Sequence, residues 1–178
     1  KVKVGGYSVD SVEAKPVKRN PPPPFITSTL QQDASRKLGF SAKRTMQAAQ
    51  KLYEEGRITY MRTDSLNLAK EAVVSAREYI KRTYGDKYLP SKAKNYATKS
   101  KGAQEAHEAI RPSEVTRLPT QLTGMERDAE RLYTLIWQQF VACQMVPAEF
   151  TSTSVVVGAG DYQLRIKGRV VRFDGFMK

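Results

Sequence analysis

The hydrophobic repeat of this sequence changes from helical to strand-like at Pro147, and no single element of secondary structure fits both periods. Before Pro147, apolar residues recur every three or four positions, which predicts a long core helix over about residues 124–145, with Thr123 and Glu126 as its capping box and Trp137 in a packing role. The residues predicted to face inward along it are Ala129, Leu132, Tyr133, Ile136, Trp137, Phe140 and Val141. After it, residues 151–157 and 162–173 alternate in polarity around a glycine-containing turn, which predicts a β-hairpin. The chain must therefore combine helices with an antiparallel sheet.

Three shorter helices are predicted ahead of the core helix. Ser28 with Gln31 fits a capping box for the first helix, and Ser41 and Gly56 are the predicted start and stop signals of the second. Along the second helix, the repeat predicts Met46, Ala49, Leu52 and Tyr53 to face inward. The third covers about residues 69–83. Two helices joined by a glycine-containing turn and followed by an extended segment also fit a winged helix-turn-helix, which reads base edges in duplex DNA.

Four consecutive prolines at positions 21–24 mark a domain boundary near residue 20, because proline disfavours helix in the residue before it. A strand-like segment, residues 7–14, precedes this boundary. We expect an α+β chain with a mainly helical domain of winged-helix-like character at residues 20–147. This domain is inserted into a small β-rich module made of residues 1–19 and 148–178.

The charge balance favours a polyanionic partner. The chain has 30 Lys and Arg against 18 Asp and Glu, a formal net charge of +12. Nucleic acid is the first candidate and an anionic membrane surface the second. One cysteine and one histidine cannot form a structural zinc site, and no apolar run approaches the roughly 20 residues that span a bilayer. We therefore expect a cytoplasmic protein without a membrane partner. We also expect a monomer, although no pattern in the sequence indicates the oligomeric state.

Residues 52–65, LYEEGRITYMRTDS, contain the strongest candidate for a reactive group. If residues 57–61 are extended, Ile58, Tyr60 and Arg62 share one face of the strand. A phenol with the ordinary pKa of about 10 is a poor nucleophile near neutral pH, whereas a guanidinium beside it favours the phenolate and can hold a phosphate. Spacing alone favours the plainer interpretation, in which Tyr60 is one of nine tyrosines, packed on a strand.

The longer string decides between these interpretations, because LYEEGRITYMRTDS resembles the active-site segment of the type IA DNA topoisomerases, in particular their bacterial members. Four other segments resemble the same family in the same order: PFITSTLQQDASRKLGF (24–40), QEAHEAIRPS (104–113), LIWQQFVACQM (135–145) and GRVVRFDGF (168–176). Together they span nearly all of the chain beyond residue 20. The chain is thereby identified as a central part of such an enzyme.

The resemblance implies a role for individual residues. Tyr60 is the nucleophile that forms a phosphotyrosyl link to the 5′ end of a cut single strand, and Arg62 binds the scissile phosphate. His107 contacts the DNA backbone near the cut. Further candidate DNA contacts are Thr59, Asp64 and Arg111. The implied overall reaction is the ATP-independent relaxation of negative supercoils.

The family also uses parts that this sequence lacks. Its acidic domain binds Mg²⁺ through a cluster of carboxylates, and no such cluster is found in this sequence; Glu54, Glu55 and Asp64 belong to a different motif. We therefore expect the Mg²⁺ site to lie outside this chain, with the remaining domains as partners, and the chain alone to be inactive.

The resemblance gives the β-rich module the role of a hinge or gate. Two alternatives remain open: a winged-helix regulator, and a tyrosine recombinase, which one histidine disfavours.

Overall fold

The computed structural model of the chain describes residues 6–96, 108–122 and 124–178. Its helices and strands are β1 (Ser8–Arg19), α1 (Thr27–Leu38), α2 (Ala42–Glu54), α3 (Lys70–Tyr84), α4 (Arg127–Cys143), β2 (Ala148–Ala159) and β3 (Tyr162–Phe173), with short 3-10 helices at Asp86–Tyr88, Pro119–Gln121 and Gly175–Met177. The α+β class predicted from the sequence is confirmed.

The chain divides into two compact units. The sheet unit combines Lys1–Asn20 with Pro147–Lys178, and the helical unit is Pro21–Val146. The hinge and gate roles that the family resemblance implies for the β-rich module stay predictions.

The sheet unit is a three-stranded antiparallel sheet in the order β1-β2-β3. The first strand is longer than the alternation of the sequence suggested, because it continues through Pro16, which pairs with Thr151. A proline is tolerated there because β1 lies at the edge of the sheet. Residues directly opposite one another share a face, so Val12, Val155 and Ile166 form part of an apolar face.

The helical unit is built around α4, which contacts α1, α2 and α3. The residues predicted to face inward along this helix are all buried: Ala129, Leu132, Tyr133, Ile136, Trp137, Phe140 and Val141. The indole nitrogen of Trp137 donates a hydrogen bond to the carbonyl oxygen of Val115 at 2.9 Å. Its predicted role in packing is confirmed. The helix begins at Arg127 and not near residue 124, and the predicted cap Thr123 lies outside the described residues.

The ends of α1 and α2 test the predicted caps. Ser41 caps α2 as expected, since its hydroxyl accepts a hydrogen bond from the backbone nitrogen of Arg44 at 3.2 Å. The predicted capping box of Ser28 with Gln31 is wrong. Helix α1 begins at Thr27, so its N-cap is Ile26, two residues before the predicted cap, and the backbone nitrogen of Ile26 donates to the hydroxyl of Thr29 at 3.1 Å.

No wing follows α2. Within residues 21–96, 108–122 and 124–146, extended pairing is limited to the isolated bridges Phe25–Ile110 and Ile58–Pro112. The described helices include none long and apolar enough to cross a membrane.

Candidate active site

The end of α2 sets the direction of the segment that carries Tyr60. Gly56 adopts a φ of 65°, a left-handed conformation that favours glycine. The backbone nitrogens of Gly56 and Arg57 donate to the carbonyl oxygens of Tyr53 and Leu52, both at 2.8 Å. This double closure is typical of a helix that ends at a glycine. The chain thus leaves α2 in a defined direction at Gly56, four residues before Tyr60.

The segment after Gly56 is not a regular strand. Ile58 is 2% exposed and forms an isolated bridge with Pro112, while Tyr60 is 46% exposed. The prediction that Ile58 shares a face with Tyr60 is therefore wrong, because Ile58 is drawn into the core. From Tyr60 onward the burial alternates: Tyr60, Arg62 and Asp64 are exposed, and Met61, Thr63 and Ser65 are buried.

Tyr60 lies against one other aromatic ring. The ring centroids of Tyr60 and Tyr53 are 5.2 Å apart at an interplanar angle of 65°, an edge-on contact. Tyr53 is itself 42% exposed, although the helical repeat predicted it to face inward. The phenol of Tyr60 is thus supported on one side and open to solvent on the other.

Arg62 faces a groove of about 730 Å³ beside α2. Two other cations of this groove are already paired: Arg44 binds Asp128 through two hydrogen bonds of 2.5 and 2.7 Å, and Lys51 pairs with Glu126. The hydrogen bonds from Arg44 lower the pKa of Asp128. Within the described part of the chain, Arg62 makes no ion pair. Its guanidinium remains available for an anion.

Thr59 is engaged in backbone contacts. Its backbone nitrogen donates to the carbonyl oxygen of Arg111 at 3.0 Å, and its hydroxyl accepts from the backbone nitrogen of Arg111 at 3.0 Å. The same hydroxyl donates to the carbonyl oxygen of Ala109 at 2.7 Å. Thr59 thereby fixes the residue before Tyr60 to the stretch 109–111. Its DNA contact stays a prediction.

Arg111 is held by Glu108 through two hydrogen bonds of 2.6 and 2.9 Å, and its side chain is 14% exposed. Glu108 also accepts a hydrogen bond from the backbone nitrogen of Ala69, just before α3, at 2.7 Å. This bidentate pair links two parts of the helical unit. A role of Arg111 on DNA stays a prediction, as does that of Asp64, whereas His107 lies outside the described residues.

Two residues near Tyr60 were missed by sequence reasoning. Tyr53 could have been found from the sequence, because it lies in the last turn of α2, where a side chain can extend past the core into solvent. Thr27 contacts the backbone of Met61 and Thr63. No sequence signal reveals a contact of this kind, because the partners are more than thirty positions apart.

The described residues around Tyr60 form no metal site. Over residues 6–96, 108–122 and 124–178, no group of three or more His, Cys, Asp or Glu side chains could hold a metal ion. The described residues therefore offer a phenol, a free guanidinium and an open groove.

Comparisons with known proteins agree on one family. The family model described as DNA topoisomerase matches residues 1–178. The DNA topoisomerase 1 of Pseudomonas aeruginosa is 61% identical over 178 residues, which are 100% of this chain and 20% of that protein. The DNA topoisomerase 1 of Escherichia coli is 57% identical over 172 residues, 97% of this chain and 20% of that protein.

A solved structure gives the same result. The full-length topoisomerase I from Thermotoga maritima has a TM-score of 0.79 and 38% identity, covering 96% of this chain and 29% of that chain. This chain spans about one fifth of the length of the two relatives above.

Proposed function

The chain belongs to the DNA topoisomerase family, and we propose that it is the part of a type IA enzyme that supplies the nucleophile, Tyr60. The observation that carries the proposal is the joint exposure of Tyr60 and Arg62 on one side of a segment whose intervening residue, Met61, is buried.

The proposed reaction is a reversible transesterification on single-stranded DNA. The phenolic oxygen of Tyr60 attacks a backbone phosphorus, a new O–P bond forms, and the bond from that phosphorus to the 3′ oxygen breaks. The phenol loses its proton, the 3′ oxygen gains one, and the 5′ end stays attached to Tyr60. Resealing reverses these steps. One phosphodiester replaces another, so ATP is not required.

Arg62 is proposed to hold the phosphate that Tyr60 attacks. A guanidinium presents a planar fork of donors that matches two phosphate oxygens. Arg62 is exposed and unpaired within the described residues, so binding a phosphate breaks no internal ion pair. The predicted contacts of Thr59, Asp64, His107 and Arg111 would add to the binding of the strand.

The net charge of +12 supports binding of a polyanion without sequence preference. This leads to an expectation about the type of DNA. A topoisomerase part should prefer single strands, whereas a winged-helix regulator should prefer a particular duplex. The isolated bridge at Ile58, where a wing would begin, does not favour the regulator.

Mg²⁺ is proposed to act from outside the residues described, since these hold no suitable group of ligands. We assign no step through the metal to this chain. The transferring phosphoryl group needs electrostatic stabilisation on several sides, and one arginine supplies one side. The chain alone is therefore proposed to be inactive in relaxation, and the remaining domains of the enzyme to be its partners.

The wider activity is proposed from the family. The sheet unit would serve as a hinge or gate that lets a second strand pass, which relaxes negative supercoils. We propose that the intact enzyme is a cytoplasmic monomer.

A chimera tests the proposal directly. This chain replaces the matching 178 residues of the Pseudomonas aeruginosa relative, and the protein is mixed with Mg²⁺ and a labelled single-stranded oligonucleotide. We expect a covalent protein–DNA adduct, which Tyr60→Phe abolishes and the neighbouring Tyr53→Phe retains. An adduct that survives in Tyr60→Phe would remove Tyr60 from the mechanism.

A further inference from the structure

Thr27, the first residue of α1, contacts the backbone on both sides of Arg62. Its hydroxyl donates to the carbonyl oxygen of Met61 at 2.7 Å and accepts from the backbone nitrogen of Thr63 at 2.9 Å. Its own backbone nitrogen donates to the carbonyl oxygen of Thr63 at 2.9 Å. We propose that Thr27 is a positioning residue for strand cleavage, which holds Arg62 in register with Tyr60. This inference rests on the proposed function.

The contact at Met61 determines where the side chain of Arg62 begins. The carbonyl of Met61 belongs to the planar peptide that joins Met61 to Arg62. A hydrogen bond that fixes this carbonyl therefore fixes the orientation of the plane from which Arg62 departs. The side chain of Met61 is 1% exposed and anchors the other side of the backbone. Tyr60 and Arg62 thus flank a residue that is held from two directions.

The segment depends on such bonds because it does not belong to a sheet. Backbone donors and acceptors that are removed from water need partners. Before Tyr60, the hydrogen bonds between Thr59 and residues 109–111 provide these partners. After Tyr60, the hydroxyl of Thr27 acts as both donor and acceptor, as a peptide group of a neighbouring strand would. Valine has the same shape but can do neither.

Helix α1 gives Thr27 a fixed position. Leu30 and Ala34, one and two turns further along, are both 0% exposed. The helix is therefore anchored in the core of the helical unit. A hydroxyl on a helix that is anchored in the core holds its hydrogen-bond partners in place more precisely than a hydroxyl on a loop.

The test uses the chimera defined above, with cleavage measured at saturating oligonucleotide and affinity measured separately. We expect Thr27→Val to slow adduct formation by about tenfold to a hundredfold, the effect of a misplacement of about 1 Å at a reacting centre. The Kd for the oligonucleotide should change by less than about twofold, because contacts along the whole backbone dominate affinity. Thr27→Ser keeps the hydroxyl and should restore most of the rate.

Thr134→Val is the matched control. Thr134 is also half-buried, and its hydroxyl donates to the carbonyl oxygen of Glu130 within α4 at 2.9 Å. The substitution removes a hydroxyl of the same kind without touching residues 60–63. Because it removes one hydrogen bond within a helix and Thr27→Val removes two bonds to a distant segment, it should lower Tm by less than Thr27→Val, and it should leave the cleavage rate unchanged. Equal loss of rate in both variants, or no rescue by serine, would overturn the inference.

Two further outcomes keep the proposals separate. If the chimera itself forms no adduct, the proposed function fails and this inference fails with it. If the chimera and its Thr27→Val variant form the adduct at equal rates, only the inference fails. Should Thr27→Val not fold, Thr27→Cys is used, because a thiol is a weak donor and acceptor. A cysteine variant that cleaves at the original rate would contradict the positioning role.

Discussion

Arg62 and Arg111 were both predicted to contact DNA. Their surroundings in the structure differ, and their substitution by alanine should therefore change the free energy of unfolding by different amounts. Arg62 is exposed and unpaired among the described residues. Surface substitutions of this kind change the free energy of unfolding by less than about 0.5 kcal/mol. Arg62→Ala should therefore be nearly neutral in stability.

Arg111→Ala should behave differently. It removes two charge-assisted hydrogen bonds to Glu108 and one of 2.9 Å to the carbonyl oxygen of Pro112. Hydrogen bonds to charged groups contribute about 1.5–3 kcal/mol, and breaking a fully buried pair costs about 3–5 kcal/mol. Glu108 is 25% exposed and keeps its bond from Ala69, so the lower end applies. We expect a loss of about 2–3 kcal/mol.

The assay is urea unfolding of the chain at pH 7, followed by far-ultraviolet circular dichroism. The chimera supplies the second measurement, the rate of adduct formation at saturating oligonucleotide. Arg62→Ala should lower this rate by about a hundredfold or more. Two results would refute the reasoning: a loss of unfolding free energy above about 1 kcal/mol for Arg62→Ala, or no loss for Arg111→Ala. Substitutions of exposed and of buried, bonded residues differ on average by at least that much in unfolding free energy.

Three other predictions concern salt, pH and the backbone. Affinity for a single-stranded oligonucleotide should fall steeply as NaCl rises, with a log–log slope of about −0.7 for each phosphate contacted, as measured by fluorescence anisotropy. Burial raises the pKa of the Cys143 thiol to about 12 and of the Tyr133 phenol to about 12. The contribution of these two groups to the free energy of unfolding should be complete below pH 8 and should fall as pH rises toward 12, because the unfolded chain loses these protons first. Cys143→Ala should therefore lessen the fall in the urea midpoint between pH 7 and pH 10.5, and an identical fall would exclude Cys143 as a cause. Gly56→Ala should lower the free energy of unfolding by about 1 kcal/mol, because alanine is strained in the left-handed backbone conformation of Gly56. Gly175→Ala should lower it by more, because its Cβ would also overlap the backbone of Pro147. Thermal unfolding of the two variants measures the difference.

The sequence predicted most of the helices correctly because their apolar residues recur at the helical period. Helix α4 shows this best, since every residue predicted to face inward is buried. Its start was placed too early, because capping residues give a weaker signal than periodicity. The end of β1 was missed for a related reason: Pro16 interrupts the expected pattern but is tolerated at the edge of a sheet.

The segment around Tyr60 could be predicted only in part. The alternation from Tyr60 to Ser65 follows from the sequence, but the inward turn of Ile58 depends on Pro112, 54 positions further along the chain. The engagement of Arg111 by Glu108 and of Thr27 by Met61 likewise depends on tertiary contacts. Hydrogen bonds between distant side chains and backbone leave no periodic trace in a sequence.

The proposed function requires that the hydroxyl of Tyr60 becomes bonded to DNA. The most direct measurement is mass spectrometry of the tryptic digest of the chimera after its adduct with a short oligonucleotide has been trimmed by nuclease. Trypsin cuts after Arg57 and Arg62, so the peptide ITYMR, residues 58–62, should carry the added mass of a nucleotide on Tyr60. Finding that mass on another peptide, with ITYMR unmodified, would contradict the assignment of Tyr60 as the nucleophile.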